Sequence, residues 1–183
     1  MGILLGFAPF IAFAILDWVM GPTQGLIAGA LVSLALISRE WFSLKRVPKV
    51  LEIGTTILFG GLALYAVSGA PTWSIVGVRL RVDVGLLLIV LVSIAIRRPF
   101  TLQYAKEQVP REMWDTPRFR RINYVISAVW AVAFMALVSA DLIMLEVPSL
   151  PSRVGVLITI VALVGAIKFT GWYPERQRAK ASG

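Results

Sequence analysis

The chain contains no cysteine and no histidine. The first absence excludes disulfides and thiolate chemistry. The second excludes imidazole catalysis and an ordinary Ser–His–acid arrangement, and the two together remove the usual ligands of zinc. Charge is also scarce, at 15% of residues with only ten acids, against about 25% in an average soluble chain. No glycine-rich phosphate loop is present. A Ser–Lys pair through Lys168 is conceivable, but a lysine at the inner end of a long apolar run is better read as snorkelling to the membrane surface. The sequence therefore predicts no catalytic residue, no metal site and no cofactor.

What the chain has instead is apolar length. Hydrophobic residues make up 58% of the 183, against about 45–50% in soluble domains, and the mean hydropathy is +0.81. Several runs approach the roughly 20 residues that cross a bilayer as a helix. Only helices and closed barrels satisfy their own backbone groups in lipid. These runs are continuous rather than alternating, so the expected class is all-α: a polytopic bundle of six transmembrane helices forming one integral membrane domain over residues 1–183. The spans are expected near 3–20, 26–42, 53–67, 82–96, 122–145 and 154–172, with breaks at "GPTQG", "SGAPT" and "EVPSLPS". The first run has no base before it and no small-residue cleavage site after it. It is read as a span rather than a cleaved leader.

Fifteen of the eighteen Lys and Arg residues fall on one side of this map. They occupy the second-to-third loop, the fourth-to-fifth loop and the C-terminal end; Arg79, Arg81 and Arg153 lie opposite. Basic residues collect on the cytoplasmic side, which predicts three in-out-in hairpins with both termini inside. The net charge of +8 is then a membrane signature and does not imply nucleic acid. Trp18 and Trp73 are expected at the outer interface, Trp41 and Trp172 at the inner one. "DWVM" at 17–20 and "DLIM" at 141–144, with "REWFSL" at 39–44 and "RRPFTL" at 97–102, form at most a faint hairpin repeat.

Small residues four apart, including Gly25/Gly29, Ala136/Ala140 and Ala162/Ala166, allow helix backbones to approach closely. The same benefit is expected of Gly60 and Gly61 in the third span. Pro9 should bend the first helix, because it leaves a carbonyl unpaired one turn back.

Acids inside apolar runs carry more information, since an Asp at a span centre costs about 2.5–3.5 kcal/mol on insertion scales. Asp17, Asp83 and Asp141 fall near outer helix ends, and Arg79 and Arg81 precede Asp83. They either build an outward-facing polar vestibule for a cation or lipid head group, or cap and pair locally.

The segment from 97 to 124 is unlike the rest, with seven Lys or Arg, three acids and scattered aromatics. Pro99 is placed to start a short helix with Phe100 and Tyr104 on one face. Thr116 is a natural N-cap and Pro117 a natural first residue for the fifth helix. Residues 97–121 are expected to lie along the cytoplasmic membrane surface. Phe100, Tyr104 and Trp114 would dip toward the acyl boundary or pack under the bundle. Arg97, Arg98, Arg118, Arg120 and Arg121 would meet anionic lipid or an acidic partner surface.

In order, "FAPFIAF" at 7–13, "FGGLAL" at 59–64, the Arg79/Arg81 pair, "RRPF" at 97–100, "VP" at 109–110, Trp114 and Asn123 resemble the intracellular septation protein A family, the YciB-type inner-membrane proteins of Gram-negative bacteria. The likeness extends over nearly the whole chain in span order. It departs in the loop before the fourth span, "WSIVGVRLRVD", and in the distance from Asn123 to Trp130, which leaves a neighbouring, uncharacterised branch as the alternative. The resemblance implies a role in cell-envelope synthesis and septation through membrane partners or lipid. It implies no reaction and no catalytic residue. The alternative function is a small transporter or channel that uses the outer carboxylates.

Overall fold

A computed structural model describes residues 2–69, 73–147 and 149–182. The breaks expected at "SGAPT" and "EVPSLPS" fall partly on residues 70–72 and 148, outside the described residues. Every regular element among the described residues is helical. In chain order they are α1 (Gly2–Gly6), α2 (Ala8–Met20), α3 (Pro22–Ser38), a π-helical turn (Arg39–Ser43), α4 (Val50–Gly69), α5 (Ile75–Ala95), α6 (Phe100–Lys106), a 3-10 turn (Arg111–Met113), α7 (Pro117–Glu146) and α8 (Ser152–Ser182). Four segments are long and apolar enough to cross a membrane: Pro22–Ser43, Val50–Gly69, Pro117–Glu146 and Arg153–Ala179. α2 is apolar but only 13 residues long. α5 has 21 residues and carries Arg79, Arg81 and Asp83 in its first half.

The chain divides into two compact units, residues 1–89 and 90–183, with the division inside α5. In the first unit, Phe13 of α2, Leu26 and Ala30 of α3, Phe59, Ala63 and Ala66 of α4, and Val78 and Val82 of α5 form one buried apolar cluster. Two glycines set how closely its helices approach. A Cβ on Gly25 would lie 2.9 Å from the backbone of both Phe13 and Asp17. One on Gly29 would lie 2.5 Å from the Phe59 ring. The Gly25/Gly29 pair therefore packs internally.

Two expectations are corrected here. Gly60 and Gly61 do not mediate close packing: a Cβ on either would meet nothing within 4 Å. The two glycines fall on an open side of α4. Pro9 does not bend a continuous first helix either. The helix stops at Gly6, Phe7 donates its N–H to the Leu4 carbonyl at 3.1 Å, and Pro9 sits in the first turn of α2, where a missing N–H costs nothing. The "GPTQG" turn is likewise shorter than its sequence suggests. Gly21 alone, at φ +104°, turns the chain, and Pro22 already begins α3.

In the second unit α6 docks on α7, and α7 packs along α8. α7 begins as the sequence predicts. Thr116 caps it by accepting the Phe119 N–H, and Pro117 is its first residue. Trp130 is buried at the centre, tilted edge-on to Phe100 at 6.4 Å and against Phe134 at 5.5 Å. Its Nε1–H donates to the Thr170 hydroxyl of α8 at 3.0 Å. That hydroxyl in turn donates to the Ala166 carbonyl at 2.8 Å. α8 continues well past its apolar stretch and holds Pro174 inside the helix.

Candidate functional site

The segment after α5 is a folded structure. Pro99 precedes α6, and Phe100, Thr101, Leu102 and Tyr104 of that helix are all buried. Ser93, at 0% exposure, accepts the Phe100 N–H through its hydroxyl at 3.2 Å, which holds the first turn of α6 to the end of α5. Thr101 joins α6 to α7 by donating to the Asn123 carbonyl at 2.9 Å, and its hydroxyl lies 2.8 Å from that of Ser127. The Asn123 amide donates to the Phe119 carbonyl at 2.9 Å. A short helix held by buried hydroxyls is stable where α6 alone would not be, since isolated helices of this length do not form in water.

Phe100 and Tyr104 are therefore buried, Phe100 against Trp130 of α7, and it is the arginines on either side of them that are exposed. Arg97, Arg98, Arg118, Arg120 and Arg121 are all exposed. Arg97 takes a left-handed backbone, φ 59°, where the chain leaves α5. Trp114 is half-buried. Its indole N–H is shared between the Lys106 and Val109 carbonyls at 3.1 and 3.2 Å. The Lys106 ammonium and the Arg111 guanidinium lie 5.1 and 5.7 Å from its ring. Arg120 pairs with Asp115 at 2.7 Å in solvent.

The residues expected in an outer cluster divide between the two units. In the first, Asp17 is buried on α2 beside Gly25, and its Oδ1 is buried without a hydrogen bond. Arg79 is close enough to Asp17 to act on it electrostatically. α5 runs through Arg79 and Asp83 without a break, so the two are one turn apart on a helix. Arg81 turns away: it donates to the Gly77 carbonyl at 2.7 Å and lies 4.5 Å over the Trp73 ring, which stacks on Tyr65 at 5.1 Å. Asp141 belongs to the second unit and is buried on α7.

A third group escaped the sequence reading. Glu40, Lys49 and Glu52 are all buried, at 7%, 6% and 5% exposure. The Lys49 ammonium lies 3.0 Å from Glu40 Oε1 and 3.3 Å from Glu52 Oε1. The Lys49 N–H also donates to Glu52 Oε2 at 3.1 Å, the backward reach of a glutamate at the third position of a helix. The π-helical turn brings Glu40 to this place, and Arg46 N–H donates to the Glu40 carbonyl at 3.0 Å. π turns of this kind recur at functional sites. The available signal was Glu52 three residues after Lys49 at a helix start. Nothing in the sequence announced the π turn that adds Glu40. Among the described residues no group of three acids is arranged to hold a metal ion.

The chain is thus a helical membrane protein, with four segments long and apolar enough to span, a short docked helix flanked by exposed arginines, and buried charges close to its helix ends. Comparison with protein-family models, with curated proteins and with solved structures finds no match.

Proposed function

We propose that this protein is a non-enzymatic, multi-pass membrane protein that engages anionic lipid, or an acidic membrane partner, through the basic face built on residues 97–121. One observation carries the reading. The apolar side of this segment is used internally, through Phe100, Thr101, Leu102 and Tyr104, while five arginines remain outward. A segment spent on internal packing alone would not need that density of charge on its outer side. Each Lys or Arg near an anionic surface contributes about 1 kcal/mol. Six spans with both termini cytoplasmic would put the face against the anionic leaflet of a bacterial inner membrane. The septation-family resemblance adds a role in envelope synthesis and division, with membrane proteins of those machineries as partners.

The test uses the full chain in nanodiscs containing phosphatidylglycerol and phosphatidylcholine. Changing Arg97, Arg98, Arg118, Arg120 and Arg121 to Gln should lower the enrichment of the anionic lipid around the protein while leaving helicity unchanged. Enrichment equal to wild type would overturn the lipid reading. Loss of septation in cells with lipid enrichment intact would assign the face to a protein partner.

A second reading, a small transporter or channel, is favoured by Asp17, a buried carboxylate on an apolar helix beside Arg79. Flux through reconstituted vesicles that disappears in Asp17→Asn would support it. Absence of any ion flux in the wild type would remove it.

A further inference from the structure

The seam between α7 and α8 has two hollows. One lies at the start of α7 and is lined by Pro117, Arg118, Arg121 and Ile122 of α7 with Tyr173 and Gln177 of α8, enclosing about 380 Å³. The other lies farther along the same helices. It is an open groove bounded by Val129, Ala133 and Ala136 on α7 and Leu157, Ala162 and Gly165 on α8, with a volume of about 530 Å³, and is almost wholly apolar. Both volumes fall within the roughly 300–1,000 Å³ of small-molecule sites.

We infer that this seam holds one anionic phospholipid, with its phosphate between Arg118 and Arg121 and an acyl chain in the apolar groove. The inference rests on the lipid reading above and sharpens it from surface attraction to a single saturable site.

Three observations carry it. The first is charge. Two guanidiniums, a phenol and an amide line the smaller hollow, and no acid does. Arg120 is tied to Asp115, whereas neither Arg118 nor Arg121 has an ion pair among the described residues. Arginine presents paired donors that match phosphate oxygens.

The second is alignment. Arg118, Arg121, Ile122, Val129, Val132, Ala133 and Ala136 recur at steps of three, four and seven, which is one face of a helix. From Ile122 to Val129 is two turns, about 10 Å at the helical rise. α8 passes in the opposite direction, setting Tyr173 and Gln177 across from the arginines and Leu157 to Ala166 across from the apolar stretch. One ligand with a charged head and an apolar tail matches that order. A free anion would leave the groove unused, and an apolar helix would leave the arginines unused.

The third is preformation. Trp130 and Thr170 fasten α7 to α8 at 3.0 Å. Tyr173 is stacked on Phe169 at 5.0 Å and 14°, which fixes one wall of the hollow. Gly165 faces the open groove, since a Cβ there would meet nothing within 4 Å.

Native mass spectrometry of the full chain, titrated with phosphatidylglycerol or phosphatidylcholine, tests the inference. Phosphatidylglycerol should saturate at one tightly held copy, at least tenfold tighter than phosphatidylcholine. Inorganic phosphate and glycerol 3-phosphate should not displace it. Arg118→Gln with Arg121→Gln should weaken that copy at least tenfold, and so should Gly165→Leu, which fills the groove. Arg39→Gln with Lys45→Gln removes equal charge elsewhere and should leave it in place. The arginine pair decides the matter even if Gly165→Leu lowers the yield of folded protein. Anionic enrichment without a single saturable copy would overturn the site and leave the surface reading standing. Equal binding of the two lipids would overturn both. Displacement by inorganic phosphate would replace the lipid with a free anion, and indifference to Gly165→Leu in folded protein would remove the acyl-chain half.

Discussion

Lys49 shows how much one residue can depend on its surroundings. In sequence it is one more base in a basic loop. In the structure its ammonium lies between two buried carboxylates, at 3.0 and 3.3 Å. Breaking a buried pair by removing one partner costs about 3–5 kcal/mol, because the remaining charge keeps its desolvation penalty and loses its compensation. Lys49→Met should therefore be strongly destabilising, seen as a large fall in the thermal unfolding midpoint of the detergent-solubilised protein. Replacing all three, Glu40→Leu, Lys49→Met and Glu52→Leu, should restore most of the loss, since no charge is then stranded. If the single variant unfolds like wild type, the triad contributes nothing to the fold. The Arg120–Asp115 pair gives the contrast. It is shorter, at 2.7 Å, but both side chains are more than half exposed. Solvent screening reduces exposed pairs to about 0–1 kcal/mol, so Arg120→Gln should move the same midpoint little.

At the level of elements, the sequence was informative where a signal is local. Thr116 and Pro117 mark the start of α7, and Pro99 marks the start of α6, because capping and the fixed φ of proline act within one turn. It was least informative where the partner is distant. "Small residue, three others, small residue" describes Gly25/Gly29, which touch Asp17, Phe13 and Phe59, and equally Ala136, which borders an open groove. The diglycine at 60–61 carried the same expectation and faces empty space. Substitution separates these cases. Gly25→Ala should destabilise clearly, since its Cβ would press on backbone atoms 2.9 Å away that cannot rotate aside. Gly60→Ala should be neutral or stabilising by up to about 1 kcal/mol, the helix-propensity difference. Equal effects at the two positions, read from unfolding midpoints and helicity, would contradict the assigned α2–α3 approach. The burial of Phe100 and Tyr104 was half legible: their four-residue spacing predicted one shared face, but which surface would cover it depends on α7, with Asn123 and Ser127 more than twenty residues farther on.

For the whole molecule, the question is which ends of the helices share a compartment. The basic residues give the prediction: Lys45, Arg46 and the bases of 97–121 lie inside, and positions 21–24 and 149–151 lie outside. The lack of cysteine makes the test direct, because any thiol added is the only one in the chain. Gln24, Ser43, Gln108 and Ser149 are all exposed, so single cysteines there should react unless a membrane separates them from the reagent. In intact cells an impermeant maleimide should label Gln24→Cys and Ser149→Cys. Ser43→Cys and Gln108→Cys should label only after the membrane is opened. The pairs also bear on the two helices whose spanning is least obvious. Gln24 outside and Ser43 inside requires only that α3 cross. Placing an N-terminal thiol inside as well requires α2, with 13 residues, to cross together with α1. Ser43 and Gln108 on the same side requires an even number of crossings between them, so α5 must span along with α4, despite Arg79, Arg81 and Asp83 near its start. Those charges lie in the first three turns of α5, where Arg81 is already satisfied by the Gly77 carbonyl and the Trp73 ring, and the remaining residues to Ala95 are apolar apart from Ser93. Labelling of Gln108→Cys from outside, with Ser43→Cys protected, would show that α5 does not cross and would place the basic face opposite the anionic leaflet it is proposed to bind.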